Sequence, residues 1–358
     1  MKKLDNIFTQ QGAGYYHIEN ADGKYWILPK KHISTAIELY QPSGRNGRLL
    51  KALLPLLHNI PAVRKILNIN THNLSLNTEI KAIAREAFGI ADPEFSIFGG
   101  TPSVHQKITI QFFAGNKILG YGKITDSDSI AALFSHEQQL LDTLRSAGIT
   151  DIPECLYCGQ LSTREYLFLQ STCKTRKSFS PSGFTTLHKL FLSQLYEATQ
   201  REILFDDTDF AHSLVTLKEN LEIIPEEFKE TIGKALYHVI GRLGGTTVNY
   251  SAYHADFTPW NMFINGQRLF VFDWEYGRLT YPPQLDRYHF IVQQAFHVDH
   301  LTPSDTLRRL KESDDFSADE LRYYLLDIIS RYTQRENGHV SPALYSSLEF
   351  WSQLLTLI

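Results

Sequence analysis

The segment Tyr253–Asn261, which reads YHADFTPWN, combines residue types that could do chemistry. It places Asp256 and Asn261 five positions apart, and Pro259 between them excludes a regular helix. Carboxylate and carboxamide oxygens are hard ligands of the kind that Mg²⁺ prefers. The spacing therefore indicates a loop that directs two oxygen-bearing side chains toward one small region.

A hairpin is predicted directly after this segment. The short apolar runs MFI and LFVF lie on either side of Asn265-Gly266, a dipeptide typical of a two-residue turn. The first strand then begins after Asn261 and the second ends before Asp273, so these residues become neighbours. We expect their side-chain oxygens within about 6 Å of each other, a span that one hydrated Mg²⁺ can bridge.

The order of these features resembles the catalytic and metal loops of protein-kinase-like phosphotransferases, H-R-D-x-x-x-x-N followed by D-F-G. HADFTPWN and FDWEYG resemble the aminoglycoside phosphotransferase family, whose loop commonly reads H-G-D-x-x-x-x-N. FDWEYG is also similar to the D-F-E-Y of choline and ethanolamine kinases. The resemblance covers roughly residues 92–355 in layout and is specific over 254–290. Ala255 replaces the usual glycine, and we expect this small-for-small exchange to matter little.

The resemblance implies a role for each polar residue of the two loops. Asp256 would accept or orient the proton of a substrate hydroxyl, while Asn261 and Asp273 would hold Mg²⁺ on the phosphates of ATP. His254 would brace the loop through hydrogen bonds, and Glu275 of FDWEYG would support the metal loop. The alternative is that these are polar loop residues that cap the hairpin.

A further acid follows the metal loop. The segment PPQLDRYHF is similar to the family segment in which an Asp braces the catalytic loop, which here would be Asp286. Asp286 also falls at a predicted helix N-terminus, where the helix macrodipole favours an acid in any case.

A nucleotide-binding lobe is predicted over residues 92–172 from three strands, a helix and two more strands. The resemblance requires a Lys on the third strand and a Glu on the next helix, so that the Lys holds the α- and β-phosphates. YGKIT and FSHEQQLL supply Lys123 and Glu137 at these places. Lys107, on the second strand, is the alternative lysine, and a surface salt bridge is the alternative for the pair.

The bend between the first two strands would cover the phosphates. The stretch GGTPS contains Gly99, Gly100 and Ser103, and backbone N–H groups with a small hydroxyl suit a phosphate. It is not a G-x-G-x-x-G motif. LQSTC, residues 169–173, falls where adenine would bond to backbone, and we predict that ATP binds between residues 92–172 and the helical lobe.

Three parts are predicted along the chain. Residues 1–91 form an N-terminal extension of a hairpin plus helices, 92–172 the nucleotide-binding N-lobe, and 173–358 a helical C-lobe with the catalytic and metal loops. With the resemblance, this predicts an α+β, bilobal protein-kinase-like fold that has a small antiparallel-sheet N-lobe, a mainly helical C-lobe and, in addition, an extra N-terminal segment.

The extension contains an apolar stretch with interspersed basic residues, RLLKALLPLLHNIPAVRKIL. We expect Pro55 and Pro61 to break or kink any helix there. A basic amphipathic stretch of this kind either contacts a membrane surface or packs on its own domain, and both interpretations stay open.

Bulk composition excludes several classes. Over 358 residues the net charge of −4 gives no strong attraction to nucleic acid or anionic membrane. The N-terminus is not a secretory signal, and no run approaches the roughly 18 apolar residues of a membrane span. The 3 cysteines suggest free thiols in the cytoplasm. Cys155 and Cys158 form a single C-x-x-C, which without further ligands is weak evidence for a metal.

A small molecule with a hydroxyl group is the expected phosphate acceptor, because no activation segment separates the metal loop from the following helix. Sugars, aminoglycosides and amino alcohols are the candidates. Aminoglycosides would need acidic residues, and choline an aromatic cage. The acidic clusters are Asp206, Asp207 and Asp209, and Asp314 and Asp315. The aromatic residues near the site in the sequence are Trp260, Trp274 and Tyr276. Solvated loops and core packing are the simpler explanations of both sets.

A different class of function is a nucleotide-binding pseudokinase that acts as a binding or regulatory protein. The residues at the four key positions argue against it, since Lys123, Asp256, Asn261 and Asp273 are all competent.

Overall fold

The computed structural model of the chain describes residues 6–42, 45–100, 107–312, 315–336 and 339–358. It contains two compact units, one comprising the chain up to Asp142 with Ile152–Ser178, the other Thr143–Asp151 with Phe179–Ile358. The first is dominated by one antiparallel sheet and the second by helices, which confirms the predicted mixed fold. In the described ranges, no helix combines the length and the apolar character needed to cross a bilayer.

The first unit is built on a sheet whose strands are β1 (Phe8–Glu19), β2 (Tyr25–Pro29), β3 (Asn70–Leu76), β4 (Glu94–Gly99), β5 (Ile108–Ala114), β6 (Lys117–Thr125), β7 (Cys155–Gln160) and β8 (Tyr166–Ser171). Its helices are α1 (Ile33–Ala36), α2 (Arg45–Leu57), α3 (Pro61–Ile66), α4 (Thr78–Phe88) and α5 (Asp128–Ser146). The strands follow the order β3-β1-β2-β4-β5-β6-β8-β7.

The N-terminal residues contribute three strands to this sheet. β2 pairs with β4, so the sheet runs without interruption from residues before 91 into those after it. The buried side chains of Ser96 and Gln111 donate to the carbonyls of Ala36 and Thr35, which ties α1 to β4 and β5. The expectation of a hairpin plus helices therefore missed β3, whose polar sequence NTHNLSL carries little apolar alternation.

Capping residues set both ends of α4. Asn77 accepts a hydrogen bond from the Ile80 N–H at 2.8 Å, and Gly89 ends the helix in the left-handed region at φ 65°. Of the two prolines expected to break or kink a helix, Pro61 follows a break in the helical stretch, whereas Pro55 is accommodated inside a helix. Pro55 lies within the last turn of α2, and Pro61 opens α3, where its missing N–H is not needed.

The second unit has seven helices in the described ranges, namely α6 (Thr186–Thr199), α7 (Asp209–Glu219), α8 (Glu226–Leu243), α9 (Leu285–His297), α10 (Pro303–Lys311), α11 (Ala318–Arg335) and α12 (Pro342–Thr356). Its short strands are β9 (Arg201–Leu204), β10 (Thr247–Tyr253), β11 (Met262–Asn265), β12 (Arg268–Val271) and β13 (Arg278–Tyr281). One buried apolar cluster connects most of these helices with β10 and β13.

Two local sequence patterns in this unit are followed only in part. Residues 185–204 have helical spacing, which predicts one helix, but the helix ends at Thr199 because Arg201–Leu204 pairs with β10 as a strand. Ser317 and Glu320 have the spacing of a capping box at the start of α11, and this box is half formed. Ser317 Oγ accepts from the Glu320 N–H, but the Ser317 N–H donates to the Tyr288 hydroxyl at 2.8 Å instead of to Glu320.

Candidate active site

The first unit holds a buried ion pair between β6 and α5. Lys123 Nζ lies 2.7 Å from Glu137 Oε2, and the side chain of Glu137 is fully buried. The ammonium also lies 5.5 Å from the centre of the Phe168 ring. Because Glu137 pairs with Lys123 in the interior, the surface salt bridge is not the explanation of this pair. Lys107 lies one residue before β5 rather than on it.

The glycines before the bend have different environments. Gly99 is opposite Tyr25 in the sheet, and a Cβ at Gly99 would lie 2.1 Å from a ring carbon of Tyr25, so close packing alone requires glycine there. A Cβ at Gly100 would meet nothing within 4 Å. Ser103 lies outside the described residues, so its phosphate contact stays a prediction.

The predicted hairpin is present in the second unit. Met262 pairs with Val271 and Asn265 with Arg268, which places the turn at Asn265-Gly266. The Phe272 N–H donates to the Asn261 carbonyl at 3.0 Å, so the residue before Asp273 is bonded directly to Asn261. The two loops that flank the hairpin are therefore adjacent.

His254 connects the same two loops as a neutral ring. Its Nε2 lies 3.0 Å from the Phe272 carbonyl, and its Nδ1 accepts from the Asp256 N–H at 3.2 Å. These partners require the proton on Nε2. Burial lowers the pKa of His254 to about 4, although the nearby Asp256 carboxylate raises it. His254 therefore braces the loop and stays uncharged near neutral pH.

Asp286, in the first turn of α9, holds the backbone of the same loop. Its carboxylate accepts from the His254 N–H at 2.8 Å and from the Ala255 N–H at 3.1 Å. Burial raises the pKa of Asp286 to about 7, against the effect of these two bonds. The bracing contact that the resemblance implied is thus formed by this side chain.

Ala255 adopts a left-handed backbone conformation with φ 69° and is fully buried. An L-residue with a Cβ is strained there by about 1–2 kcal/mol, which explains why a glycine suits this position. The expectation that the exchange matters little did not include this backbone strain. The paired N–H groups of His254 and Ala255 on Asp286 hold this strained turn in place.

Asp256 is fixed by donors on both carboxylate oxygens. The amide nitrogen of Asn261 donates to Oδ2 at 2.7 Å and to the Asp256 carbonyl at 3.0 Å. His289 Nε2 lies 3.2 Å from Oδ1. Burial opposes ionisation of this carboxyl, but the hydrogen bond from His289 favours it, and the pKa of Asp256 lies below its usual value. About 30% of its side chain is exposed.

His289 is a site residue that the sequence analysis missed. It lies one turn after Asp286 on α9, with the ring buried against Tyr324. Burial lowers the pKa of His289, against the effect of Asp256. Among the described residues, none is within hydrogen-bonding reach of its Nδ1, so a second proton there would be buried without an acceptor. The spacing of Asp286 and His289, i and i+3 on one helix face, was the available signal.

A second missed residue supports the strand that leads into the loop. Buried Asp327 on α11 accepts from the hydroxyls of Tyr253 at 3.1 Å and Tyr281 at 2.8 Å, and from Arg331 at 2.9 Å. These bonds fix β10 and β13 against α11 immediately before His254. No local sequence pattern indicates the role of Asp327, because its tyrosine partners are distant in the sequence.

Asp273 and Glu275 belong to the loop that follows β12. Asp273 is half-buried and takes the left-handed conformation at φ 70°, while Glu275 is buried. One carboxylate oxygen of each lies within 4.8 Å of the other. Trp274 lies between them in the sequence. Its Nε1–H donates to the Val271 carbonyl, and the centre of its ring lies 4.4 Å from the centre of the His254 ring. The two carboxylates therefore come close together, while Trp274 between them is buried.

Oxygen donors of the kind that a hard divalent cation takes up lie on these two loops. The amide nitrogen of Asn261 donates to the side chain and to the carbonyl of Asp256, and the role of its Oδ1 as a metal ligand stays a prediction. Asp273 and Glu275 add carboxylate oxygens, and oxygen ligands with one or two carboxylates are what Mg²⁺ takes up beside phosphates.

The other candidate groups have structural partners. Asp209 accepts from the Leu279 and Thr280 N–H groups, and Asp206 from that of Gly245. Asp315 pairs with Lys189 at 3.5 Å, while Asp314 lies outside the described residues. Among the aromatic residues, Trp274 is core, Tyr276 packs partly buried against the core, and Trp260 is 38% exposed.

The C-x-x-C motif consists of free, half-buried thiols. Burial raises the pKa of Cys155 to about 12 and raises that of Cys158 as well, so both thiols are protonated at neutral pH. Protonated thiols are poor metal ligands and poor nucleophiles.

The fold is shared with solved small-molecule kinases. The chain is similar to a thermostable mutant of aminoglycoside phosphotransferase APH(4)-Ia, with a TM-score of 0.53 and 12% identity over 77% of this chain and 98% of that one. It is also similar to choline kinase LicA from Streptococcus pneumoniae, with a TM-score of 0.50 and 15% identity over 78% of this chain and 100% of that one. The chain has a kinase-like fold. A third similar structure is the GDP complex of aminoglycoside 2'-phosphotransferase-IIIa, with a TM-score of 0.50 and 13% identity over 78% of this chain and 99% of that one.

No protein-family model and no curated protein sequence matches the chain. At identities of 12 to 15% the structural likeness supports the fold, and the roles of individual residues depend on the geometry of the kinase-like chain itself.

Proposed function

We propose that the protein is an ATP-dependent phosphotransferase that transfers the γ-phosphate to a hydroxyl group of a small molecule. The observation that carries this proposal is the Asp256 carboxylate, ionised, partly exposed and held on both oxygens by His289 and Asn261. Such a carboxylate can accept the proton of an alcohol, and a fixed position is what phosphoryl transfer demands of it.

In the proposed reaction the substrate hydroxyl donates its proton to Asp256. The hydroxyl oxygen bonds to the γ-phosphorus as the bond from that phosphorus to the β-γ bridging oxygen breaks, and ADP leaves with the bonding electrons. The proton remains on Asp256 until product release. His289 and Asn261 act as positioning residues, because they contact Asp256 and keep its free lone pairs directed toward the acceptor.

Asn261 and Asp273, supported by Glu275, would hold Mg²⁺, which neutralises charge on the phosphates when it is bound. Lys123, oriented by Glu137, would contact the α- and β-phosphates, and the Gly99–Ser103 bend would cover them. The fold is compatible with these assignments, since APH(4)-Ia has been solved in ternary complexes with ADP and hygromycin B and with AMP-PNP and hygromycin B.

The acceptor is proposed at the level of class only. Sugars, aminoglycosides and amino alcohols are small hydroxyl compounds, and the names of the similar structures include two of these classes. We assign the reaction to the cytoplasm, where ATP is supplied and free thiols persist.

The test is a screen with γ-labelled ATP and Mg²⁺ over aminoglycosides, choline and free sugars, with Asp256→Asn as the matched control. We expect label transfer to at least one class with the wild-type chain and at least about a hundredfold less with the control. Nucleotide binding without transfer to any acceptor or to water would favour a pseudokinase. Equal transfer by both chains would overturn the role of Asp256.

A further inference from the structure

Helix α2 carries apolar side chains on two adjacent faces. Leu54 is buried and Leu50 is partly buried in a cluster with β1 and β2, and these side chains attach the helix to the sheet-rich unit. Leu49, Leu53 and Leu56, spaced four and three residues apart, form a second stripe that is exposed. A surface helix needs only the first face for packing, so the second is left for another contact.

Two more exposed aliphatic residues lie directly before α3 and at its last position. Ile60 and Ile66 are exposed by 45% and 82%, and Leu56 by 75%. The large aliphatic side chains exposed in this short stretch are Leu49, Leu53, Leu56, Ile60 and Ile66. A contiguous group of this kind marks an interaction site more often than scattered single residues do.

Charge in this part of the chain has one sign. No acidic residue occurs between Glu38 and Glu79, whereas the basic residues there are Arg45, Arg48, Lys51, Arg64 and Lys65. Lys51 is paired with Glu38 at 2.9 Å, and Arg45, Arg48 and Lys65 are exposed beside the aliphatic stripe. This stretch is therefore basic in a chain whose net charge is −4.

We propose that this α2–α3 surface, formed by the five aliphatic and the exposed basic residues, docks the protein on an anionic lipid membrane. Protruding Leu and Ile side chains insert at the boundary of headgroups and acyl chains, while Arg and Lys reach the headgroups. The rest of the chain is net acidic, so its total charge does not favour contact with anionic lipid, whereas the charge of this stretch does.

Charge also argues against a second copy of the chain as the occupant. A two-fold dimer through this surface would bring the same basic residues of both copies together, and like charges in one interface oppose association. Anionic lipid complements both the aliphatic and the basic residues.

The test is co-sedimentation of the full chain with vesicles of mixed phosphatidylcholine and phosphatidylglycerol, compared with pure phosphatidylcholine. We expect binding to the mixed vesicles, at least tenfold weaker binding to the pure ones, and loss of binding in high salt. Two multiple variants remove the aliphatic and the basic residues separately. The aliphatic variant combines Leu49→Gln, Leu56→Gln and Ile66→Gln. The basic variant combines Arg48→Glu and Lys65→Glu. Each should bind the mixed vesicles at least tenfold more weakly.

Matched controls carry the same exchanges elsewhere. Leu190→Gln with Val298→Gln removes exposed aliphatic residues of the second unit, and Lys117→Glu with Lys177→Glu gives the same net charge as the basic variant. Both should bind like wild type. All variants change exposed positions, and thermal unfolding checks that each is folded.

Three results would overturn the proposal. They are failure of the wild type to bind mixed vesicles, equal binding to pure phosphatidylcholine, and unchanged binding in both surface variants. A wild-type dimer that the aliphatic variant converts to a monomer, with no vesicle binding, would assign the surface to self-association instead.

Discussion

Two carboxylates with proposed roles at the phosphates and at the acceptor are held in different ways. In the first unit Glu137 is neutralised directly by the full positive charge of Lys123. In the second unit Asp256 is held by neutral donors, the amide of Asn261 and the imidazole of His289. The Glu137 carboxylate can be buried because the charge of Lys123 compensates it. A charge held by neutral donors stays available to a substrate proton, and its partners set its position.

The largest effect is expected from a substitution that breaks the ion pair of Lys123 and Glu137. Glu137→Gln leaves the buried Lys123 ammonium without this carboxylate, and we expect the free energy of unfolding to fall by about 3–5 kcal/mol. The double variant with Lys123→Met should lose less than the sum of the two single variants, since no charge is then left uncompensated. Urea denaturation of all four chains measures this, and additive losses would show that the pair is not coupled.

The second effect concerns the carboxylate held by neutral donors. Asp256→Asn should lower turnover by about 10²-fold or more, because the amide cannot accept the proton. The free energy of unfolding should change far less than in Glu137→Gln, since the side chain is partly exposed and the exchange is near-isosteric. Turnover assays beside urea denaturation separate the two. An unfolded variant would favour a structural loop cap.

A pH effect is expected from Asp286, whose pKa of about 7 in the folded chain lies above the ordinary value of 3.8. The folded state then binds more protons than the unfolded state between about pH 4 and 7, so this group makes the free energy of unfolding fall as pH rises through that window. Asp286→Asn removes this contribution. The free energy of unfolding of the wild type minus that of Asp286→Asn, measured by denaturation, should be less positive at pH 8 than at pH 5. A constant difference would contradict the raised pKa.

The smallest effect sharpens the comparison at His289. His289→Leu removes one donor from Asp256, and we expect about a tenfold loss of kcat with little change in KM for ATP. The pKa of Asp256 should rise without that donor, so the acidic limb of the pH profile should move to higher pH. His289→Gln, which keeps an N–H donor, should restore part of both. If His289→Leu lowers the free energy of unfolding but leaves the acidic limb of the pH profile unchanged, His289 has a packing role alone.

How much could be predicted from the sequence depended on the distance between partners along the chain. The hairpin, the α4 caps and the strand that carries Lys123 follow from patterns within a few residues. His289 and Asp327 act on residues that are 33 and 74 positions away, and only the packing of α9 and α11 shows this. β3 was missed because its sequence is polar and its place is set by pairing with β1. The strain at Ala255 required a backbone angle that composition does not give.

The central claim is tested most directly by calorimetric titration with ATP, with and without Mg²⁺, of the wild type, Asp256→Asn and Asp273→Asn. We predict Mg²⁺-dependent binding to the wild type, nearly unchanged affinity in Asp256→Asn because that residue is not a proposed ligand, and clearly weaker binding in Asp273→Asn. Absence of binding to the wild type at millimolar nucleotide would contradict the account.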